Sequence, residues 1–409
     1  MKKILIASFD MEVGGVERSL ISMLENFDYD NYQVDLMLYR HQGDFLNLIP
    51  DQVNLLPEIP QYATFRKSIS EIMKEKQFTI GTARLLSKIN TEILRRVKNI
   101  AEPGYYQMQL MWKYALPFLP QLEKEYDVAI SYLWPHDFVG EKVRAKKKFA
   151  WIHTDYSTVD TDPKVDRHIW GKFDHIVSIS EDCTKAFLSK YPYFGEKILL
   201  IENITSPTFV KRMAKEEIND VEFTSDYFNI VSVGRLCYQK AFDNAIKALR
   251  ILHDKGYTNI KWYVVGYGGE EHKLEELIQT HKLKDSFILL GKKINPYPYM
   301  AKCDLYVQPS RYEGKAVTVT EAKILGKSII ITDYPTAKSQ VSDRIDGYIT
   351  DLSIEGIVDG VEEVYNNFNL RKSMANYCEK ANYSNRNELK KLYGKIEGEK
   401  NQYLISETV

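Results

Sequence analysis

The chain is poor in the residues that punctuate or staple a fold. Among 409 residues there are 4 Cys, 14 Pro and 21 Gly. The cysteines, at 183, 237, 303 and 378, lie 54, 66 and 75 residues apart, which is neither a metal-binding nor a redox spacing. Scattered thiols in so long a chain read as reduced and intracellular. Low Gly and Pro exclude collagen-like and linker-dominated chains. Lys+Arg number 55 against Asp+Glu 56, so the basic excess of a dedicated nucleic-acid binder is missing. Also missing is any window of 18 apolar residues, and the run at 4–7 is too short for a signal-peptide core. These absences together predict a cytoplasmic protein without nucleic-acid partners, whose membrane contact, if any, is peripheral.

What remains is a core-forming composition, 44% apolar and 27% charged, over a length that suits two domains. Short apolar runs recur, separated by helix-patterned segments. In the first half they are KILIASF (3–9), QVDLMLY (33–39), DVAISYL (127–133), FAWIHT (149–154), HIVSIS (175–180) and KILLIEN (197–203). In the second half they are NIVSVGR (229–235), KWYVVGYG (261–268), SFILLGK (286–292), CDLYVQPS (303–310) and SIIITDY (328–334). Continuous rather than alternating apolar runs suit strands buried on both faces of a parallel sheet. Strands alternating with helices imply right-handed β-α-β units and an α/β doubly wound architecture. Val16, Leu20, Met23, Leu24 and Phe27 share one stripe of the first helix.

The pattern divides the chain into a Rossmann-like domain over 1–205, a polar connection over 206–227, a second Rossmann-like domain over 228–384 and a charged helix over 385–409. One region breaks the alternation. Residues 61–100 hold nine Lys/Arg against three Glu, interleaved with apolar residues from Ile69 to Val97. This predicts one or two basic amphipathic helices within an insertion at about 61–115. They form either a solvated cover of the first domain or a surface for anionic lipid or a phosphate-bearing acceptor.

The most informative segment is 310–326, SRYEGKAVTVTEAKILG, where an apolar strand ends and a helix begins. Ligands bind at the carboxyl ends of strands in such sheets. Glu313 falls in the loop and Glu321 in the first turns of the helix. The residues between, Gly314, Lys315, Ala316 and Val317, present backbone N–H groups at a helix N-terminus, where an anion is stabilised. Two carboxylates flanking such a cradle can accept from hydroxyls while the amides hold phosphate, as a nucleotide sugar requires.

Glu313-x7-Glu321 resembles the E-x7-E signature of retaining glycosyltransferases of family 4, of the bacterial surface-glycan type. Further matches run along nearly the whole chain. They are Gly14-Gly15-Val16-Glu17, WIHTD (151–155), SISE (178–181), IEN (201–203), VGRL (233–236) with Lys240, and VVGYG (264–268). One departure stands out. Lys315, Ala316, Val317 and Thr318 occupy positions where the family often carries aromatic-Gly-x-Pro. The resemblance implies the GT-B fold, two Rossmann-like domains facing a central cleft, with the acceptor on the first and the nucleotide sugar on the second. It implies a hexosyltransferase acting with retention and without a metal, and no cofactor beyond the donor, for which UDP is favoured over GDP. The acceptor class it implies is a glycan, a teichoic acid or a lipid-linked sugar in polysaccharide assembly.

Each residue also has a plainer reading. Gly14 and Gly15 are either a tight turn or a phosphate or acceptor contact. Gly266 and Gly268 are either a turn or a close approach to the nucleotide. Arg235, following Gly234 at a buried strand end, and Lys240 are expected to meet the diphosphate rather than serve as surface charges. His153 is expected in the active site, with Asp155 less strongly indicated. His136 and Asp137 read as loop residues, Glu181 and Asn203 as cap and loop fixings. No carboxylate is evident for a covalent intermediate, so a same-face substitution is expected, the leaving phosphate helping to deprotonate the acceptor. Glu313 then positions sugar hydroxyls, Glu321 accepts from the ribose, and His153 contacts the sugar or its phosphate. Three rivals are a nicotinamide oxidoreductase, a sugar-nucleotide epimerase or phosphorylase, and a non-catalytic binding protein. The first lacks G-x-G-x-x-G both at 9–15 and at 266–269, and the last is disfavoured by the presence of both Glu and both basic residues.

Overall fold

The computed structural model describes residues 1–98, 103–154, 156 and 159–398. The chain forms two compact units, Met1–Ile204 with Arg386–Val409, and Thr205–Asn385.

The first unit is built on seven parallel strands: β1 Lys2–Ser8, β2 Tyr32–Leu38, β3 Asn54–Leu55, β4 Glu125–Ser131, β5 Arg144–Ile152, β6 His175–Ser178 and β7 Ile198–Leu200. Their order in the sheet is β3-β2-β1-β4-β5-β6-β7. The second unit has six: β8 Phe228–Val233, β9 Ile260–Val265, β10 Phe287–Gly291, β11 Leu305–Gln308, β12 Ile329–Thr332 and β13 Tyr348–Thr350, ordered β10-β9-β8-β11-β12-β13. Both are therefore doubly wound, and strand order reverses between β1 and β4 and again between β8 and β11. Crevices outside the carboxyl ends of those pairs are where this architecture holds ligands. The central strands are buried on both faces, Ile4, Leu5 and Ile6 in β1 and Ile329, Ile330 and Ile331 in β12 being wholly inaccessible, which is why they read as unbroken apolar runs.

All eleven anticipated strands are present. The two further ones, β3 and β13, span two and three residues and leave no apolar run to detect. The segment expected as a bare connection is structured. Pro207–Met213 is a helix capped by Ser206, and the segment packs within the second unit. Buried Phe209, Val210 and Met213 give it an apolar face that its polar surroundings conceal. The Thr205 N–H donates to Asn385 (2.8 Å), tying the two ends of that unit together.

The charged C-terminal helix, Glu388–Glu397, packs on the first unit at the amino ends of its strands. Lys2 reaches Glu397 (2.5 Å), Lys147 donates to the Lys395 carbonyl (2.6 Å), and the Tyr32 and Tyr393 rings stack at 5.1 Å.

The insertion is helical at Pro60–Ala63, Ile69–Lys74, Phe78–Lys98 and Pro103–Ala115. It is anchored by aromatic residues: Phe65 stacks on Trp112 at 4.0 Å, and Tyr62 and Tyr39 close the cluster beside Phe138. Its basic residues divide into two groups. Arg66 pairs with Asp10 (3.2 Å), Lys67 with Glu75 (2.7 Å), and Arg84 donates to the Thr64 and Lys67 carbonyls, so these three serve the fold. Lys88, Arg95 and Arg96 stand exposed.

Candidate functional site

At the reversal point of the second sheet, β8 delivers Gly234, Arg235 and Lys240, and β11 delivers the loop carrying Glu313. The link from β8 to helix Phe242–Asp254 is a 3-10 turn, Tyr238–Lys240, followed by Ala241 at φ 54°. A left-handed alanine between two fixed elements is backbone strain of the kind held at functional turns. That turn aims Lys240 Nζ at Glu313 Oε1, 2.5 Å away. Glu313 is nearly buried, its side chain 6% exposed, and it gathers further donors. Ser310 Oγ donates to Oε1 (2.7 Å) and Gln239 Nε2 to Oε2 (3.2 Å), while Thr336 holds the Glu313 carbonyl (2.8 Å). Oε1 is thus well occupied, and Oε2 keeps room for another donor. Lys240, with three N–H groups and one carboxylate partner, keeps donors to spare.

Arg311, which sequence reasoning missed, clamps this loop. Its guanidinium grips Asp243 through both nitrogens (3.0 and 2.8 Å), donates to the Tyr238 carbonyl (2.6 Å), and lies 4.1 Å over the Tyr238 ring. Burial pushes the Asp243 carboxyl up, but the Arg311 hydrogen bonds and charge outweigh it and hold it below its ordinary value. The other missed residues are Gln239, Gln308, Ser310 and Thr336. The only signal for them was position, either side of a strand end that faces the reversal point.

Arg235 is exposed at the end of β8. Gly314 and Lys315 are exposed, Ala316 is buried, and helix Val317–Ile324 begins with no side-chain cap on its first turn. Two of the N–H groups at this end are engaged, that of Ala316 by Gln340 Oε1 and that of Val319 by the Ala316 carbonyl (both 3.0 Å), in a turn whose remaining amides face no i−4 carbonyl of the helix. Glu321 is not displayed on the surface: it is 2% exposed and accepts from the Tyr297 hydroxyl (2.8 Å). Gly266 and Gly268 have a reason for being glycine that involves no ligand. A Cβ on Gly266 would stand 1.8 Å from the Gly234 carbonyl oxygen, and one on Gly268 2.3 Å from that of Leu236. The two loops approach this closely because the β8–β9 ladder continues past the strands, Gly234 N–H to Val265 and Leu236 N–H to Tyr267 (both 3.0 Å).

In the first unit, Gly14 precedes helix Gly15–Glu25 and leaves space for Glu17, whose Oε2 would lie 2.2 Å from a Cβ there; Gly15 faces open space. Burial, assisted by the charge of Asp10, pushes the Glu17 carboxyl up to about 7. Asp10, Glu17 and Arg66 thus form a cluster at the β1 end that sequence reasoning did not assemble. His153 follows β5, its ring 4.7 Å from Tyr132, and its Nε2 is shut from solvent without a hydrogen-bond partner. Burial draws the imidazole down to about 3 against a hydrogen bond to the Tyr132 backbone, so it is neutral at pH 7. Asp155 lies outside the described residues. His136 is a core residue, packed 4.4 Å from Trp170 and bonded to Ser131 (2.8 Å). Ser180, not Glu181, caps the helix it starts, and Asn203 fixes Ser19 (2.9 Å).

Residues 213–381 match the family described as Glycosyl transferases group 1. An uncharacterized glycosyltransferase of Methanocaldococcus jannaschii is 27% identical over 44% of this chain and 46% of its own length. The N-acetylgalactosamine-N,N'-diacetylbacillosaminyl-diphospho-undecaprenol 4-alpha-N-acetylgalactosaminyltransferase of Campylobacter jejuni is 27% identical over 51% of this chain and 55% of its own. The chain thus spans about half the length of these curated relatives. Among solved structures, a variant of S. aureus TarM in complex with fondaparinux, alpha-GlcNAc-glycerol and UDP superposes with a TM-score of 0.65 at 16% identity, over 97% of this chain and 100% of that one. The chain therefore has the GT-B fold and, over residues 213–381, the segment holding Arg235, Lys240, Glu313 and Glu321, it is similar to the group 1 glycosyl transferases.

Proposed function

We propose that the protein is a metal-independent, retaining glycosyltransferase of family 4. It moves a hexose or N-acetylhexosamine from a nucleotide-diphosphate sugar, UDP being favoured, to a glycan, teichoic-acid or lipid-linked acceptor in cell-surface polysaccharide assembly. The place of action is the cytoplasmic side of the membrane. The observation that carries the reading is the Lys240–Glu313 pair at the reversal of the second sheet, within the matched segment. The UDP held by TarM and the undecaprenol-linked acceptor in the Campylobacter enzyme's name support the choice of donor and acceptor class.

In this reading the second unit holds the donor. Arg235, the spare donors of Lys240 and the leading amides of helix Val317–Ile324, approached along Gly314–Val317, take the diphosphate. Fixed charge of this kind is worth most where charge develops as the sugar–phosphate bond breaks. Glu313 offers Oε2 to a sugar hydroxyl while its other oxygen stays locked. Glu321, oriented by Tyr297, accepts from the ribose. His153 donates from Nδ1 to the Tyr132 backbone, leaving Nε2 as an acceptor. A neutral acceptor nitrogen suits a sugar hydroxyl better than a phosphate oxygen. Attack on the face the diphosphate leaves then retains configuration, a phosphate oxygen receiving the acceptor proton.

The test is a thermal-shift panel of UDP-, GDP- and ADP-sugars with EDTA present, followed by NMR of the product anomer. A ligand at 100 times its Kd stabilises by about 2.7 kcal/mol. The UDP-sugar is expected to shift the melt, and Glu321→Ala to lower that shift. No shift with any nucleotide sugar would end the reading, and an inverted product would end the retaining part of it.

A further inference from the structure

Helix Phe78–Lys98 turns an apolar side outward as well as inward. Buried beneath it are Ile80, Ala83, Ser87 and Thr91, two of them hydroxyl residues that bond back to the helix's own carbonyls (Ser87 to Arg84, 2.7 Å; Thr91 to Ser87, 2.8 Å). Outward stand Phe78 at 55%, Leu85 at 48%, Leu86 at 51%, Ile89 at 48% and Ile93 at 54% exposure. At 3.6 residues per turn these five fall in one arc of about 100°, centred opposite the buried side. Single exposed leucines need no explanation, but five large apolar residues on one arc, with only Thr82 among them, do. The band continues into a groove of about 550 Å³ walled by Thr82, Leu86, Tyr114, Pro117 and Phe118, with Lys113 at its side.

Charge on the same face indicates what covers it. The helix carries five basic residues against one acidic, in a chain whose totals nearly balance at 55 and 56. Lys88 and Arg95 run along one border of the band, and Arg96 closes its end. The single carboxylate, Glu92, is already shared by Arg95 and Arg96 (2.9 and 3.1 Å). A second copy docked on this face would bring like charges together, whereas an anionic bilayer accepts both features. The apolar band enters the headgroup boundary by about 5–10 Å, and the basic border meets the lipid phosphates. Among the described residues no helix is long and apolar enough to cross a membrane.

We propose that helix Phe78–Lys98 is a membrane-docking surface that lies flat on anionic lipid. The inference is independent of the catalytic reading, and lipid binding is measured without any activity.

The full chain is sedimented with vesicles of phosphatidylglycerol and phosphatidylcholine, and with phosphatidylcholine alone, at low and at high salt. Binding is expected with the anionic vesicles only, with release at high salt as the Debye length falls from about 30 Å at 0.01 M to about 3 Å at 1 M. Combined Lys88→Gln, Arg95→Gln and Arg96→Gln should lower partition on the order of a hundredfold at low salt. Leu86→Ser, Ile89→Ser and Ile93→Ser together should abolish what remains. All six positions are solvent-facing, so both variants should keep the wild-type circular-dichroism melt. Arg66, Lys67 and Arg84 are left intact because the fold uses them. No sedimentation at low salt overturns the proposal, as does sedimentation indifferent to both variants. A serine variant that instead turns a dimer into a monomer would overturn it in favour of a contact between copies.

Discussion

Lys240 Nζ stands 2.5 Å from Glu313 Oε1 although 73 residues separate the two in the chain. The pair bridges the ends of β8 and β11, the two strands between which sheet order reverses, and neither side chain is more than 16% exposed. An ion pair so placed fixes the loop that precedes helix Val317–Ile324, while Glu313 Oε2, which accepts from Gln239, and the ammonium of Lys240 each keep room for a ligand.

Breaking that pair from one side should destabilise the second unit. Lys240→Met leaves Glu313 with its charge little exposed and unmatched, at a cost of about 3 kcal/mol. Adding Glu313→Gln should recover part of the loss. Urea unfolding of both single variants and the double variant measures the coupling; additive losses would mean that the contact contributes nothing to stability.

For catalysis the two cations should behave as leaving-group ligands. Arg235→Ala and Lys240→Ala are each expected to lower kcat by about 10²–10³ while changing donor KM less. The assay is sugar transfer in EDTA. Full turnover in either variant would pass the charge-stabilising role to other groups.

The glycines make a contrast readable by thermal melting alone. Gly266→Ala drives a Cβ to 1.8 Å from the Gly234 carbonyl, backbone against backbone, and should lower stability by about 3 kcal/mol or more. Gly15→Ala meets nothing within 4 Å and should be nearly silent. Similar melts for the two would contradict the tight approach of the loops after β8 and β9.

A pH experiment isolates two adjacent buried groups. Burial draws His136 down to about 3, so its contribution is present above its ordinary value and is lost as pH falls. Burial pushes Asp137 up to about 7, so its contribution is present at low pH and is lost as pH rises through 7. Between about pH 4 and 6.5 the two slopes oppose. Asp137→Asn removes one of them, so the variant should lose stability relative to wild type by about 1.4 kcal/mol per unit as pH falls through that window. A pH-independent difference between the two proteins would show that Asp137 ionises normally.

Much of this was legible in the chain itself. Short, mainly apolar runs such as those at 229–235 and 328–334 suit strands covered on both faces, and their alternation with helices leaves a doubly wound sheet as the natural arrangement. The strand-end positions of Glu313, Arg235 and His153 followed from the same runs, because a side chain just past such a strand emerges at the carboxyl edge. The sequence by itself thus determined the fold class and the neighbourhood of the site. Tertiary structure alone decided the partners. That Lys240 meets Glu313, that Arg311 grips Asp243, that Glu321 is buried against Tyr297, and that Gly266 and Gly268 make room for backbone are contacts across tens of residues, set by strand order rather than by any local pattern. The outward face of helix Phe78–Lys98 belongs to the same class. Periodicity shows that a helix has an apolar side, but only packing decides whether that side is turned inward, because a buried stripe and an exposed one have the same spacing.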